Sequence, residues 1–213
     1  MNYLYIDTSS SYLYAGIVKE NELLSSIKQD FGSELSKYTI SEIDKLFKKC
    51  NFKPNDIDKI IVVSGPGSFT GIRIGMTFSK IFAWSLNKEI TTISSLEAMQ
   101  ASVCSKKVLV PIIDARRGYV YAGVYKEGKI NLKDRYIKLD DLKKYLDKLG
   151  EEYLFITNNK KFNLDNIIGY NPDILNIVLT YKDRIPINPH LVEPNYLKLS
   201  EAEENLGSSQ NDN

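Results

Sequence analysis

Histidine is almost missing from this chain of 213 residues, where His190 stands alone. That scarcity removes paired-histidine chemistry and His-x-x-x-His metal sites. No serine occupies a Gly-x-Ser-x-Gly elbow that could draw His190 into a triad. Placed between Pro189 and Leu191, His190 reads as a solvated loop residue. Cysteine is nearly as scarce. Cys50 and Cys104 are far apart and outside any C-x-x-C pattern, so neither a disulfide framework nor structural zinc is expected, and a reducing compartment, the cytoplasm, is. An excess of one charge is lacking too. Twenty-eight basic against 27 acidic residues leave +1, too weak a field to hold a polyphosphate or, by this chain alone, a nucleic acid. No apolar run reaches membrane-spanning length, and Met1 to Asp7 has no basic leader region, so neither export nor anchoring is expected.

What is present is a globular balance, 43% hydrophobic and 26% charged, organised by a repeat. The segment from Ile6 lies on the segment from Ile113 without a gap, at an offset of 107 residues. Ile6-Asp7 meets Ile113-Asp114, Tyr12 meets Tyr119, Tyr14-Ala15-Gly16 meets Tyr121-Ala122-Gly123, and Lys19-Glu20 meets Lys126-Glu127. About eight of eighteen positions agree, where unrelated sequences would share roughly one. Both copies read as an apolar strand ending in Asp, a turn, and a second strand rich in β-branched and aromatic residues. Leu23 to Gln29 and Ile130 to Tyr136 supply a third.

After the first triple, Leu35, Thr39, Ile43, Leu46 and Cys50 share one helical face, with Ser33 as the expected N-cap. A buried strand over Ile60 to Ser64 precedes a Gly/Pro turn and a helix from Phe69 to Leu86. A strand over Ile90 to Ile93 and a helix over Leu96 to Val103 follow. The second copy continues through a helix carrying Leu139, Leu142, Tyr145, Leu146 and Leu149, then a strand over Tyr153 to Thr157. The expected architecture is α/β, two β-β-β-α-β-α lobes: residues 1–104, residues 105–200 with the second lobe shortened, and a disordered tail over 201–213, where periodicity ends.

Two places invite chemistry. Gly65, Pro66, Gly67, Ser68, Phe69, Thr70, Gly71, Ile72, Arg73, Ile74 and Gly75 lie between a strand and a helix, where phosphate loops occur. The run lacks the Gly-Lys-Ser/Thr of a Walker A loop. It also lacks the acidic residue that closes the next strand in a dinucleotide fingerprint, and Pro66 removes one N–H donor. A structural strand-to-helix turn is the favoured reading. Asp7 and Asp114, at equivalent strand ends, face a common cleft and could hold a metal-bound nucleotide with Thr8 and Arg116. Alternatively, each takes N–H groups of its own turn. The glycine-free turn Thr8-Ser9-Ser10-Ser11 favours the second reading, so no resident metal or cofactor is expected.

The helix from Phe69 is apolar over too wide an arc. At about 100° per residue, Ile72, Ile74, Met76, Phe78, Ile81, Phe82, Ala83 and Leu86 span roughly 220°. Gly71, Gly75, Ser79 and Ala83 form a ridge of small side chains along which another helix could pack. Arg73, Thr77, Lys80 and Trp84 make the remaining face. Partner contact is therefore expected at Gly71, Ile72, Gly75, Met76, Ser79, Phe82 and Ala83.

Ile6-Asp7-Thr8-Ser9, the run Gly65 to Gly75, Ser94-Ser95-Leu96, Ile113-Asp114-Ala115-Arg116 and Glu193-Pro194-Asn195-Tyr196-Leu197 together resemble the TsaB family, also called YeaZ. The resemblance is concentrated in residues 1–125 and the closing segment. Where many relatives have histidine before the Ser-Glu of the first helix, this chain has Gly32. The resemblance implies a duplicated actin-like, ribonuclease H-like fold and a catalytically silent subunit. It implies pairing through a helical bundle with TsaD, which carries the metal and transfers a threonylcarbamoyl group to adenosine beside the tRNA anticodon. The ATPase TsaE joins the pair, tRNA is met only through the complex, and a homodimer of the isolated chain would compete for the same surface. The alternative is an ATP-dependent kinase or a peptidase of the same fold.

Overall fold

The computed structural model describes residues 1–159 and 161–198; the tail expected over 201–213 lies outside them. Strands β1 (Asn2–Asp7), β2 (Tyr12–Lys19) and β3 (Glu22–Asp30) form an antiparallel meander. Helix α1 (Leu35–Lys49) leads to β4 (Lys59–Val63), parallel to β1. Helix α2 (Phe69–Ser85) then leads to β5 (Glu89–Ile93), parallel to β4, and α3 (Ser95–Ala101) follows. The spatial order is β3-β2-β1-β4-β5.

The second half repeats this order. Strands β6 (Val108–Asp114), β7 (Tyr119–Lys126) and β8 (Lys129–Lys138) form the meander, and α4 (Leu139–Leu149) leads to β9 (Tyr153–Ile156). Strand β10 (Ile167–Ile168) and helix α5 (Ile174–Tyr181) complete it, with sheet order β8-β7-β6-β9-β10. Strands β2 and β7 begin and end 107 residues apart, at the offset of the repeat. This is the duplicated actin-like α/β arrangement. Its second lobe is short because residues 157–166 join β9 to β10 with no helix among the described ones, where α2 stands in the first lobe.

Strand alternation decides which side chains meet which layer. Leu4, Ile6, Ile60 and Val62 point toward α1 and α2. Their neighbours Tyr3, Tyr5, Ile61 and Val63 point the other way, toward Ala98 and Ala101 of α3 and Ile174, Ile177 and Val178 of α5. Leu96 and Met99, on the far side of α3, meet Leu109, Tyr125 and Ile156 of the second sheet. The outer face of that sheet packs Val110, Ile112, Val120 and Phe155 on Leu142 and Leu146 of α4. Helix α3 thus lies between the sheets, with α5 beside it on the first.

Two expectations are corrected. Ser33 does not cap α1, because a short helical turn over Gly32–Glu34 already precedes it and Glu34 holds the cap position without a side-chain bond. The span 105–200 also contains α5, which covers the first sheet rather than the second. Gly16 makes room for it, since a Cβ there would come within 2.8 Å of Ile174 Cγ2.

Candidate functional site

The run Gly65 to Gly75 is a seat for the turn that follows β1. Ser68 donates its N–H to Ser9 O at 2.7 Å, and its own hydroxyl accepts from Gly71 N at 3.2 Å, capping α2. The Thr8 hydroxyl enters the helix wall, donating to Gly71 O at 2.7 Å and accepting from Gly75 N at 3.1 Å. Such closeness requires glycine. A Cβ on Gly67 would strike Ser9 O, one on Gly71 would strike Thr8 O, and one on Gly75 would strike Thr8 Oγ1. The N–H groups of Ser68 and Gly71, which a phosphate loop opening this helix would aim at an anion, are occupied inside the chain. Pro66 is buried, while Thr70 is exposed at the first turn of α2.

The ridge on α2 belongs to this same packing. Gly71, Ile72, Gly75, Met76, Ser79, Phe82 and Ala83 are its buried residues, turned onto the first sheet and α1 of their own chain. Their expected place on a partner surface is therefore corrected: the small residues admit Thr8 and the sheet, not a second helix.

The excess of the apolar arc lies beside that row. Phe69, Ile81 and Trp84 are more than half exposed, as is Ile40 on α1. Ile74 and Phe78 are half-buried between them. Ile40, Phe69, Ile74, Phe78 and Ile81, with Ser36, Arg73, Thr77 and Ser85, line a mainly apolar groove of about 750 Å³ between α1 and α2, and Trp84 stands outside it. At its Phe69 end the closing segment crosses over. Asn195 donates its N–H to Ser64 O at 2.8 Å, and the Tyr196 ring stacks on Phe69, centroids 5.7 Å apart. Arg73 donates from Nε to the Tyr196 hydroxyl at 3.0 Å, with its guanidinium carbon 3.7 Å from the Phe69 ring centre. Farther along, Trp84 meets the ring of His190 edge-on at 6.0 Å.

Asp7 and Asp114 do line one cleft, of about 330 Å³ between the lobes. Each takes the N–H two residues on, Ser9 N and Arg116 N, both at 2.8 Å. Asp7 is buried, and burial raises its carboxyl above the usual range against the opposing Ser9 bond. Asp114 is exposed and accepts from Asn159 Nδ2 at 3.2 Å. Thr8 and Arg116, expected beside them, do not line the cleft: Thr8 is committed to α2, and Arg116 is exposed in the β6–β7 turn. Tyr12, Tyr14, Tyr170, Asn158 and Asn159 line it instead, and among the described residues no basic side chain does. That lining suits a triphosphate poorly. Among the described residues no group of three or more His, Cys, Asp or Glu could hold a metal ion, and no helix is long and apolar enough to cross a membrane.

The groove residues could have been found from the sequence by subtracting the buried i, i+4 row from the apolar arc. Tyr170 and Asn158 carry no such signal, because the repeat does not extend to them.

Comparison with known proteins places this architecture. The family model of TsaD, tRNA N6-adenosine threonylcarbamoyltransferase, matches residues 31–170. The tRNA threonylcarbamoyladenosine biosynthesis protein TsaB of Bacillus subtilis is 32% identical over 228 residues, covering 99% of this chain and 100% of that one. The protein of the same name from Buchnera aphidicola is 24% identical over 176 residues, covering 78% and 83%. Among solved structures, a Pseudomonas aeruginosa protein described as similar to peptidase YEAZ superposes with a TM-score of 0.80 at 17% identity, over 92% of this chain and 99% of that one. YeaZ from the same organism gives 0.76 at 16% identity, over 92% and 99%. With sequence similarity running from end to end and a shared two-lobed fold, the chain belongs to the TsaB family.

Proposed function

We propose that this chain is a non-catalytic subunit in the formation of threonylcarbamoyladenosine in tRNA, and that it works by pairing with TsaD. The observation that carries the proposal is the end-to-end similarity to the Bacillus subtilis protein of that pathway, 32% over 99% of this chain. Two features of the site support it. Among the described residues, no basic side chain lines the cleft that would serve a kinase of this fold, and the α1–α2 groove leaves Ile40, Phe69 and Ile81 exposed together. Large exposed apolar surface of this kind marks an interface. The groove is thus the pairing face, and a helix pair of TsaD packs against it. A homodimer of the isolated chain uses the same face and competes with TsaD. The ATPase TsaE joins the assembled pair. With a net charge of +1, this subunit meets tRNA only through the complex.

Reconstitution with TsaD, TsaE and the enzyme that makes the threonylcarbamoyl adenylate tests the proposal. The modified base should form with the full set and fail to form when this chain is left out. Full modification without it overturns the function. For the face, Ile81→Glu and Ile40→Glu should each weaken TsaD binding by about tenfold or more, since a charge would be buried unpaired. As exposed positions they should change thermal stability by no more than about 0.5 kcal/mol. Undiminished binding by both would place the pairing face elsewhere.

A further inference from the structure

The motif Ser94-Ser95-Leu96 has no part in the groove, and its contacts run between the lobes. Ser94 ends the strand side of the β5–α3 corner and is buried. Its hydroxyl accepts from Glu97 N at 2.9 Å while Glu97 Oε2 accepts from Ser94 N at 2.8 Å, a reciprocal cap on α3. The Glu97 carboxylate is itself held by Arg184, at 2.6 and 3.0 Å, and Arg184 also donates to Thr92 O at 2.9 Å. The corner is therefore fixed within the first lobe by the segment that follows α5. From this fixed position the Ser94 hydroxyl donates across to Asp134 Oδ2 on β8. The other carboxylate oxygen accepts from the hydroxyl of Tyr125 on β7, whose ring is buried against Leu96 and Met99. Gly123 leaves the space: a Cβ there would strike Asp134 Oδ1 and the Tyr125 ring. Ser95, next in the chain, ties the same corner to the loop that opens α2, donating from N to Gly65 O at 2.9 Å and from Oγ to Pro66 O at 2.6 Å.

We infer that Asp134 and Ser94 form an interlobe latch, which sets the second lobe at one angle to the first and couples its position to the start of α2. A groove of about 540 Å³, lined also by Lys133, Glu193 and Asn195, opens beside the latch. Water entering there can replace the Ser94 bond, so the latch can open while the apolar contacts of Leu96 and Met99 still hold the lobes together. Opening frees β8 from the β5–α3 corner, which its own cap and Arg184 still hold, and leaves the outer helices α1 and α4 as they were.

The test must separate latching from capping, because the Ser94 hydroxyl does both. Ser94→Asp keeps an acceptor for Glu97 N but cannot donate, and sets two carboxylates face to face. Adding Asp134→Asn supplies an amide N–H that can donate to the new side chain. In the full chain, hydrogen exchange of the amides in Lys129–Lys138 should speed up about tenfold or more with Ser94→Asp. Exchange in α1 and α4 should not change, and the double variant should restore the wild-type pattern. Unchanged exchange in the single variant overturns the latch. So does a loss that the double variant does not repair, since that loss would belong to the cap, and so does equal acceleration throughout the chain. Should Ser94→Asp fail to fold, the double variant decides alone: wild-type protection supports the latch, and failure to fold overturns it.

Discussion

The two lobes carry the same five strands in the same order, yet their outer faces differ by one helix. The first sheet is covered by α1 and α2, the second, among the described residues, by α4 with Phe162 and Leu164 of the β9–β10 connection. A sheet of this order can bury its centre without a second outer helix, as β6, β7 and β9 do with α4 and the side chains of Phe162 and Leu164. The added helix brings more apolar surface than its sheet can cover, and the surplus emerges as the groove between α1 and α2. The duplicated part of the molecule is thus scaffold, and its unshared helix carries the exposed apolar surface on which the proposed pairing rests. The paired turns show the same asymmetry at smaller scale. Asp7 and Asp114 make the same bond to the residue two places on, but the first turn is clamped under α2 and the second is open to solvent.

The strongest way to break this comparison is Gly75→Leu. If the inner face of α2 belongs to its own lobe, a side chain there must displace Thr8, at a cost of about 3 kcal/mol. For a chain of this size that lowers the melting temperature by roughly 6 to 12 °C. A variant that melts normally yet no longer binds TsaD would return the small-residue ridge to the surface. A smaller effect sharpens the contrast at the equivalent glycines of the repeat. Gly16→Ala presses on Ile174 of α5, and Gly123→Ala presses on Asp134 of β8; each should cost about 1 to 2 kcal/mol. Hydrogen exchange should then report loosening of α5 in the first and of β8 in the second. The same pattern from both would mean that the two lobes are braced alike.

The smallest effect is in the paired aspartates. Burial raises the Asp7 carboxyl, so the folded chain binds that proton more tightly than the unfolded one. This contribution is fully present below about pH 4 and is lost as pH rises through the folded value. Asp7→Asn keeps an acceptor for Ser9 N and has no charge to bury. It should therefore melt above wild type at pH 7, by about 1 kcal/mol or less, with the difference shrinking as pH falls toward 4. Asp114→Asn, exposed, should leave the melting temperature within the equivalent of about 0.5 kcal/mol at both pH values. Equal responses would mean that the two turns are equally solvated.

Much of the scaffold was legible because strand period and repeat offset are local or one-dimensional signals. Asp7 and Asp114 close equivalent strands, and Tyr12 and Tyr119 open the next pair, at the offset of 107. The ridge on α2 was legible only in part. Gly71, Gly75, Ser79 and Ala83 announce that something comes close, but a pattern of small side chains is the same whether the visitor is a partner helix or Thr8 of the same chain. Helix α5 shows the other limit. It lies past the last strand that the repeat reaches, and nothing in Ile174, Ile177 or Val178 says which of two sheets lies beneath.

The return of α5 to the first sheet has a consequence for synthesis. On the ribosome, β1 to β5 and α3 emerge with Tyr3, Tyr5, Val18, Ile61 and Val63 turned toward a cover that is not yet translated. At roughly 5 to 20 residues per second, the stretch from Ala101 to Ile174 takes on the order of 4 to 15 s. Throughout that interval the nascent first lobe presents a tyrosine-rich apolar sheet face to chaperones and to neighbouring nascent chains. A gene cut at the apparent lobe boundary, ending at Cys104, would make that interval permanent. Its product should collect in inclusion bodies unless residues 105–198 are supplied in the same cell.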